Sequence, residues 1–201
     1  GDITAQMDST ARYYNMTITQ NSYGYGDPGD PCATTFRGKY DDVSRELDIL
    51  VRTHPDLIHV FAAGNSQSQC GLGGYRTVFS GFQSAKNIIS VGALTNLDAM
   101  SSFSSWGPVR DGRLKPEVCA VGVNVYSTQN ANLYAGGWNG TSMACPGTSG
   151  TVAQLVQRYN QLHSGAQPEA SLMRAILSNT ADDVLNLGPD FKSGFGRINA
   201  L

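Results

Sequence analysis

The feature that most constrains the fold is a pair of nearly continuous apolar runs of strand length, at residues 57–63 and 87–93. Such runs are typical of parallel strands buried on both faces. Segments with helical spacing of apolar residues lie around them, at residues 39–53 and 141–162. Alternating strands and helices predict an α/β domain with a mainly parallel sheet and helices on both faces. The 201 residues suggest one domain or most of one.

Weaker patterns predict the remaining elements. β-Forming residues predict a strand at 13–19, and a Gly- and Pro-rich segment predicts a loop at 20–31. The later predictions are one or two short strands within 118–127 that are broken at Gly122, a strand at 132–137, and a helix that opens at 167–169.

Ser142 stands at the start of the predicted helix 141–162. The first backbone N–H groups of a helix lack partners within the helix, and its dipole favours negative charge there. A serine attacking a carbonyl generates such a charge on the substrate oxygen, which makes Ser142 a candidate nucleophile. The alternative is that Ser142 or Thr141 only caps the helix, as Ser and Thr commonly do.

Four motifs, in this order and spacing, resemble those of the subtilisin-like serine peptidases. They are Ala62-Ala63-Gly64-Asn65, Ser102-Phe103-Ser104-Ser105-Trp106-Gly107, Lys115-Pro116-Glu117-Val118, and Gly140-Thr141-Ser142-Met143-Ala144 with Pro146. The resemblance implies the subtilisin-like α/β fold, which agrees with the fold class predicted from the patterns. It also implies a serine endopeptidase activity acting on polypeptides.

The resemblance assigns roles to individual residues. Ser142 becomes the nucleophile, and Asn65 becomes an oxyanion donor together with the Ser142 N–H. The segment Ser22-Tyr23-Gly24 is similar to the one where the family pairs an extended substrate with enzyme backbone. Ala62, Ala63 and Gly64 would line the pocket for the residue before the cleaved bond. Without the resemblance, Asn65 and the segment at 22–24 are ordinary turn residues.

The family's catalytic histidine and aspartate motifs are missing. The histidines of the chain are His54, His59 and His163, and none has the surroundings of the family's base. We therefore expect residues 1–201 to be an incomplete subtilisin-like domain, the C-terminal part, whose His and Asp segments lie upstream. Exposed apolar surface would then lead the chain to associate with the missing N-terminal part or with another copy.

The chain has four cysteines without metal-ligand spacing, so a zinc site is not expected. Cys32 and Cys70 lie in Gly- and Pro-rich segments and are predicted to pair, although four cysteines allow three connectivities. Cys119 and Cys145 have small or apolar neighbours and are predicted to be buried thiols. A disulfide indicates a secreted or cell-envelope protein, with its signal peptide outside this chain.

The net charge of −2 gives no reason to expect nucleic acid or a membrane surface as a partner. No apolar run approaches the roughly 20 residues that span a bilayer. No cofactor is expected. The family often binds calcium, and four carboxylates could supply oxygens, but their spacing matches no calcium loop and solvated side chains are the better interpretation: Asp27, Asp30, Asp41 and Asp42.

Two functional hypotheses follow. The first is a serine endopeptidase that forms an acyl-enzyme on Ser142, with the isolated chain inactive because its base is absent. The second is a subtilisin-like peptide-binding or scaffold module that has lost catalysis. The joint presence of Ser142 and Asn65 favours the first, because a binding module needs neither residue.

Overall fold

A computed structural model of the chain describes residues 3–25, 30, 32–70 and 76–200. Its centre is a four-stranded parallel sheet in the order β1-β2-β3-β4. These strands are β1 (Ile18–Asn21), β2 (Ile58–Ala62), β3 (Ile89–Leu94) and β4 (Val118–Val121). Every residue of β2 and β3 is buried, which confirms the interpretation of the two apolar runs.

Helix α2 (Asp42–Thr53) covers one face of the sheet together with α1 (Ile3–Tyr14). The Asp41 carboxylate caps α2 by accepting the Ser44 N–H at 3.1 Å. The apolar stripe of α2 buries Leu47 and Leu50 against this face, as its spacing predicts. The helix ends at His54, because the following proline disfavours helical backbone before it.

Helices α4 (Thr141–Leu162) and α5 (Ala170–Thr180) cover the opposite face. Their buried residues, which include Val152 and Met173, join the inner side chains of all four strands in one hydrophobic cluster. The sheet is therefore covered by helices on both faces, and the predicted fold class is confirmed. The short helix α3 (Gln67–Cys70) follows β2.

The N-terminal segment differs from the prediction. The strand predicted at residues 13–19 is wrong, because α1 extends to Tyr14 and β1 begins only at Ile18. Asn15 leaves the helix in the left-handed conformation, at φ 50°. Tyr13 and Tyr14 have high strand propensity, but they lie exposed on the last turn of the helix.

An antiparallel hairpin precedes α4. Its strands are β5 (Val125–Gln129) and β6 (Leu133–Trp138), which confirms the strand predicted after the break at Gly122 and the strand predicted at 132–137. Tyr126 and Tyr134 stack on its exposed surface, with ring centroids 6.0 Å apart. The hairpin leads the chain directly into Ser142.

The cysteine predictions are confirmed. Cys32 and Cys70 form a disulfide, and Cys119 and Cys145 are buried free thiols. Burial raises the pKa of both thiols, so neither has the thiolate character of a reactive cysteine.

Strand β1 lies at one edge of the sheet and pairs only with β2 among the residues described. Its other side presents unpaired backbone groups, the usual template for adding a strand. Within the described ranges, no helix has the length and apolar character required to cross a membrane.

Candidate active site

Ser142 is the second residue of α4 and is partly buried. Pro146 lies one turn later and has no N–H to donate to the Ser142 carbonyl. The Ser22 hydroxyl donates to that carbonyl instead, at 3.0 Å. The segment after β1 therefore fixes the backbone of Ser142 through the acceptor that the proline leaves free.

Asn65 follows β2 and is held in one orientation by Thr141. Its Oδ1 accepts the Thr141 N–H at 2.8 Å and the Thr141 hydroxyl at 2.9 Å. With the oxygen engaged on α4, the Nδ2 donor is left for the cleft beside Ser142. At the same end of α4 the Thr141 N–H donates to Asn65 and the Met143 N–H to the Gly140 carbonyl, which leaves the Ser142 N–H as a further donor of the first helical turn.

A cleft of about 260 Å³ joins the predicted residues. It is lined by Ser22, Tyr23, Gly24, Ala62, Gly64, Asn65 and Ser142, and also by Ser66, Phe79 and Thr141. Ala63 lies outside the cleft. Successive side chains of an extended segment point to opposite sides, so Ala63 packs with Val78 and Val109 instead.

The two walls of the cleft are tied together by Gln83, a fully buried residue that the sequence did not indicate. Its Nε2 donates to the Tyr23 carbonyl at 2.7 Å and to the Ala62 carbonyl at 3.1 Å. Gly24 is required beside it, because an added Cβ would lie 2.6 Å from the Phe79 ring. Gln83 lies in a single 3₁₀ turn (Gly81–Ser84) and Phe79 lies just before it, and a segment this short has no periodicity that marks a site residue.

A second cleft, of about 230 Å³, opens on the other side of Ser142. The hairpin and the start of α4 line it with Val125, Ser127, Thr128, Trp138, Ser142, Met143 and Pro146. Ser142 is the residue shared by the two clefts. An extended chain that occupied both would therefore pass Ser142.

The three histidines lie elsewhere. His54 ends α2 and bonds Asp8 at 2.7 Å. His163 ends α4, about 30 Å along the helix from Ser142 at 1.5 Å per residue. His59 is buried in β2 and bonds the Thr19 hydroxyl at 2.7 Å. Within the described part of the chain, the Ser142 hydroxyl has no hydrogen-bond partner, and no base contacts it.

His59 makes stability depend on pH. Burial lowers the pKa of His59 from 6.5 to about 4. Between these two values the unfolded chain binds a proton that the folded chain does not, so stability decreases as pH falls from 6.5 towards 4. The full shift corresponds to roughly 3 kcal/mol. We expect His59→Asn, which keeps a partner for Thr19, to flatten this part of the stability curve.

Urea unfolding of the wild type and of His59→Asn at a series of pH values measures this effect. His163→Asn is the matched control, because His163 is exposed and its replacement should leave the slope unchanged. Equal slopes for the wild type and His59→Asn would show that His59 titrates normally in the folded chain.

Among the described residues, no group of three His, Cys, Asp or Glu side chains is placed to hold a metal ion. Asp41 caps α2. Asp27 lies outside the described residues.

Comparison with known proteins identifies the family. The profile of the subtilase family, peptidase family S8, matches residues 1–196. Subtilisin DY of Bacillus licheniformis is 39% identical over 143 residues, covering 71% of this chain and 45% of the relative. A thermophilic serine proteinase of Bacillus sp. strain AK1 is 36% identical over 142 residues, covering 70% of this chain and 29% of the relative. The chain thus spans less than half the length of these relatives.

A solved structure supports the same fold. The self-cleaved protease domain of PatA is similar to this chain with a TM-score of 0.72 at 22% identity. The similarity covers 98% of this chain and 63% of the PatA chain. The profile match over residues 1–196 shows that the chain belongs to the subtilase family.

Proposed function

We propose that this chain is the nucleophile-bearing part of a serine endopeptidase. Ser142 attacks the substrate carbonyl and forms the acyl-enzyme. The Asn65 Nδ2 and the Ser142 N–H stabilise the oxyanion, an interaction that counts most when the donors are fixed in advance. The observation that carries the proposal is the double hydrogen bond from Thr141 to the Asn65 oxygen, which supports a fixed amide whose Nδ2 is available as a donor.

Polypeptide is the proposed substrate. The cleft on one side of Ser142 takes the residues before the cleaved bond, with Ser22, Tyr23 and Gly24 offering backbone to an extended chain. The cleft on the other side takes the residues after that bond. The continuity of the two clefts through Ser142 supports cleavage within a chain.

The proton-transferring pair is proposed to come from polypeptide upstream of residue 1. Two observations support this. The Ser142 hydroxyl has no base beside it in the described part of the chain, and the free edge of β1 offers backbone groups for additional strands. We therefore expect the isolated chain to be inactive, and we expect it to associate with the upstream part or, without it, with further copies of itself. The disulfide supports a secreted or cell-envelope location.

A fluorophosphonate probe, which reacts with activated serines, tests the proposal by intact mass. We expect no labelling of the isolated chain, and stoichiometric labelling when the upstream part is supplied in the same polypeptide. Ser142→Ala should abolish the labelling. Ser149→Ala is a matched control on the same helix, because Ser149 is buried and donates to the Cys145 carbonyl.

The alternative is a peptide-binding or scaffold module, which the unpartnered Ser142 hydroxyl would equally suit. Such a protein would bind peptides but remain unlabelled in its full-length form. Labelling of the isolated chain would instead show that one of its own residues activates Ser142, and the proposed upstream base would be wrong.

A further inference from the structure

A cleft of about 410 Å³ lies at the end of the sheet opposite to the end that carries Ser142. Glu117 immediately precedes β4 and Lys86 lies shortly before β3, so the cleft is at the amino ends of the parallel strands. Asn65 and Ser142 lie at the carboxyl end of β2. The lining contains three cationic side chains, Lys86, Arg113 and Arg174, and the single carboxylate of Glu117.

The Glu117 carboxylate is already engaged. One of its oxygens pairs with the Lys115 ammonium, and the other accepts the Ser90 N–H at 2.7 Å. Arg174 reaches it only through Nη2, at 3.9 Å. Lys115 and Arg174 therefore share one carboxylate, and Lys115 is the closer partner, so the two cations together carry one positive charge more than Glu117 balances.

Arg174 is a partly buried guanidinium with donors to spare. Its side chain is 28% exposed, and its Nε is buried without a hydrogen-bond partner among the described residues. A buried donor without an acceptor is destabilising, so an acceptor that reaches it is favoured. The Ser178 hydroxyl lines the same cleft one turn further along α5.

Lys86 and Arg113 are held in place by one ring. Their charged groups lie 4.6 Å and 5.6 Å from the centroid of Tyr40. Arg113 also bonds Asp111 and the Ser84 carbonyl. Lys86 has no carboxylate partner in the described part of the chain. The cleft thus combines two cations without a full counter-charge and a third that is paired.

We propose that this cleft is an oxyanion-binding site, which takes a phosphate, sulfate or carboxylate group on the Arg174 guanidinium and the Lys86 ammonium. A guanidinium presents a planar fork of donors that matches the oxygens of these groups. The ligand supplies the acceptor that Arg174 lacks, and the Ser178 hydroxyl adds a further donor. The site does not depend on the peptidase function, because it lies at the amino ends of the strands and Ser142 lies near their carboxyl ends.

Isothermal titration calorimetry with inorganic phosphate, at low and constant ionic strength, tests the site on this chain. We expect saturable binding to one site that weakens as sodium chloride is added. A charge-assisted hydrogen bond contributes about 1.5–3 kcal/mol. Arg174→Gln should therefore weaken binding roughly 10- to 100-fold. Lys86→Gln, at an exposed position that does not threaten the fold, should weaken it in the same direction.

Arg158→Gln is the matched control, since Arg158 is an exposed arginine on α4 outside the cleft. A parallel titration with acetate distinguishes a site for tetrahedral anions from one that also takes planar carboxylates. Saturable binding of either anion that Arg174→Gln and Lys86→Gln weaken and Arg158→Gln leaves unchanged supports the site. Absence of saturable binding for both anions, or equal binding by all variants, overturns it.

Discussion

Glu117→Gln lowers the free energy of unfolding by about 3–5 kcal/mol, the cost of leaving a buried charge without its partner. The Lys115 side chain is 1% exposed and pairs with the Glu117 carboxylate. The glutamine can still accept the Ser90 N–H, so the substitution chiefly removes the negative charge. Burial already lowers the pKa of Lys115 in the wild type, and Glu117 opposes this effect.

The double variant Lys115→Met/Glu117→Gln separates charge from packing. It removes both charges, and we expect it to regain most of the lost stability, because a buried ion pair is often no better than an apolar replacement. The deficit of the single variant should also shrink as pH rises, since Lys115 can then lose its proton in the folded chain. Urea unfolding measures all three chains.

Glu169→Gln is the matched control for Glu117→Gln. It replaces an exposed carboxylate and should change the free energy of unfolding by less than about 0.5 kcal/mol. A single variant as stable as the wild type would mean that Lys115 does not depend on Glu117 for its charge. A double variant no more stable than Glu117→Gln would assign the loss to packing instead.

Asn65→Ala lowers turnover about 10²–10³-fold in the protein that carries its upstream part, the magnitude known for loss of this kind of donor in subtilisin. The loss should appear in kcat with little change in KM, because the amide acts on charge that develops in the transition state. Steady-state hydrolysis of a peptide substrate provides both constants. A rise in KM alone would make Asn65 a substrate-binding residue without an oxyanion role.

Thr141→Val should lower kcat in the same way as Asn65→Ala but by a smaller factor. It removes the hydroxyl that donates to Asn65 Oδ1 but keeps the backbone N–H that donates to the same oxygen. The hydroxyl also accepts the Gly64 N–H at 3.2 Å, and that bond is lost too. The part of the effect that comes from the lost bond to Asn65, about 0.5–1.5 kcal/mol, corresponds to roughly a 3- to 10-fold decrease in kcat. An effect as large as that of Asn65→Ala would indicate that the hydroxyl alone orients the amide.

The parts of the fold that follow from local pattern could be predicted from the sequence. Residues 58–62 and 89–94 are buried on both faces of the sheet. A nearly continuous apolar run predicts such a strand, because neither face is exposed to solvent. Helix α1 was missed because Met7 is its one buried residue with a described side chain, and it has no acidic first turn. Its contacts to α2, such as Asp8 to His54, depend on tertiary structure.

The site divides in the same way. Ser142 and Asn65 could be proposed because they stand in recognisable motifs at element ends. Gln83 could not, because its value lies in reaching two carbonyls that are 39 residues apart in the chain. Arg174 has helical spacing like its neighbours, and nothing in that spacing reveals that its Nε lacks an acceptor.

The hydrogen bond from Ser22 to the Ser142 carbonyl joins two residues that are 120 positions apart in the chain. Ser22 directly follows β1, whose far edge is open to further strands. A strand added at that edge would restrain β1 and therefore Ser22, and Ser22 in turn restrains the backbone of Ser142. Completion of the sheet and alignment of Ser142 are then steps of one assembly process. Under the proposed function, Ser142 would then react with a substrate only after the sheet has been completed.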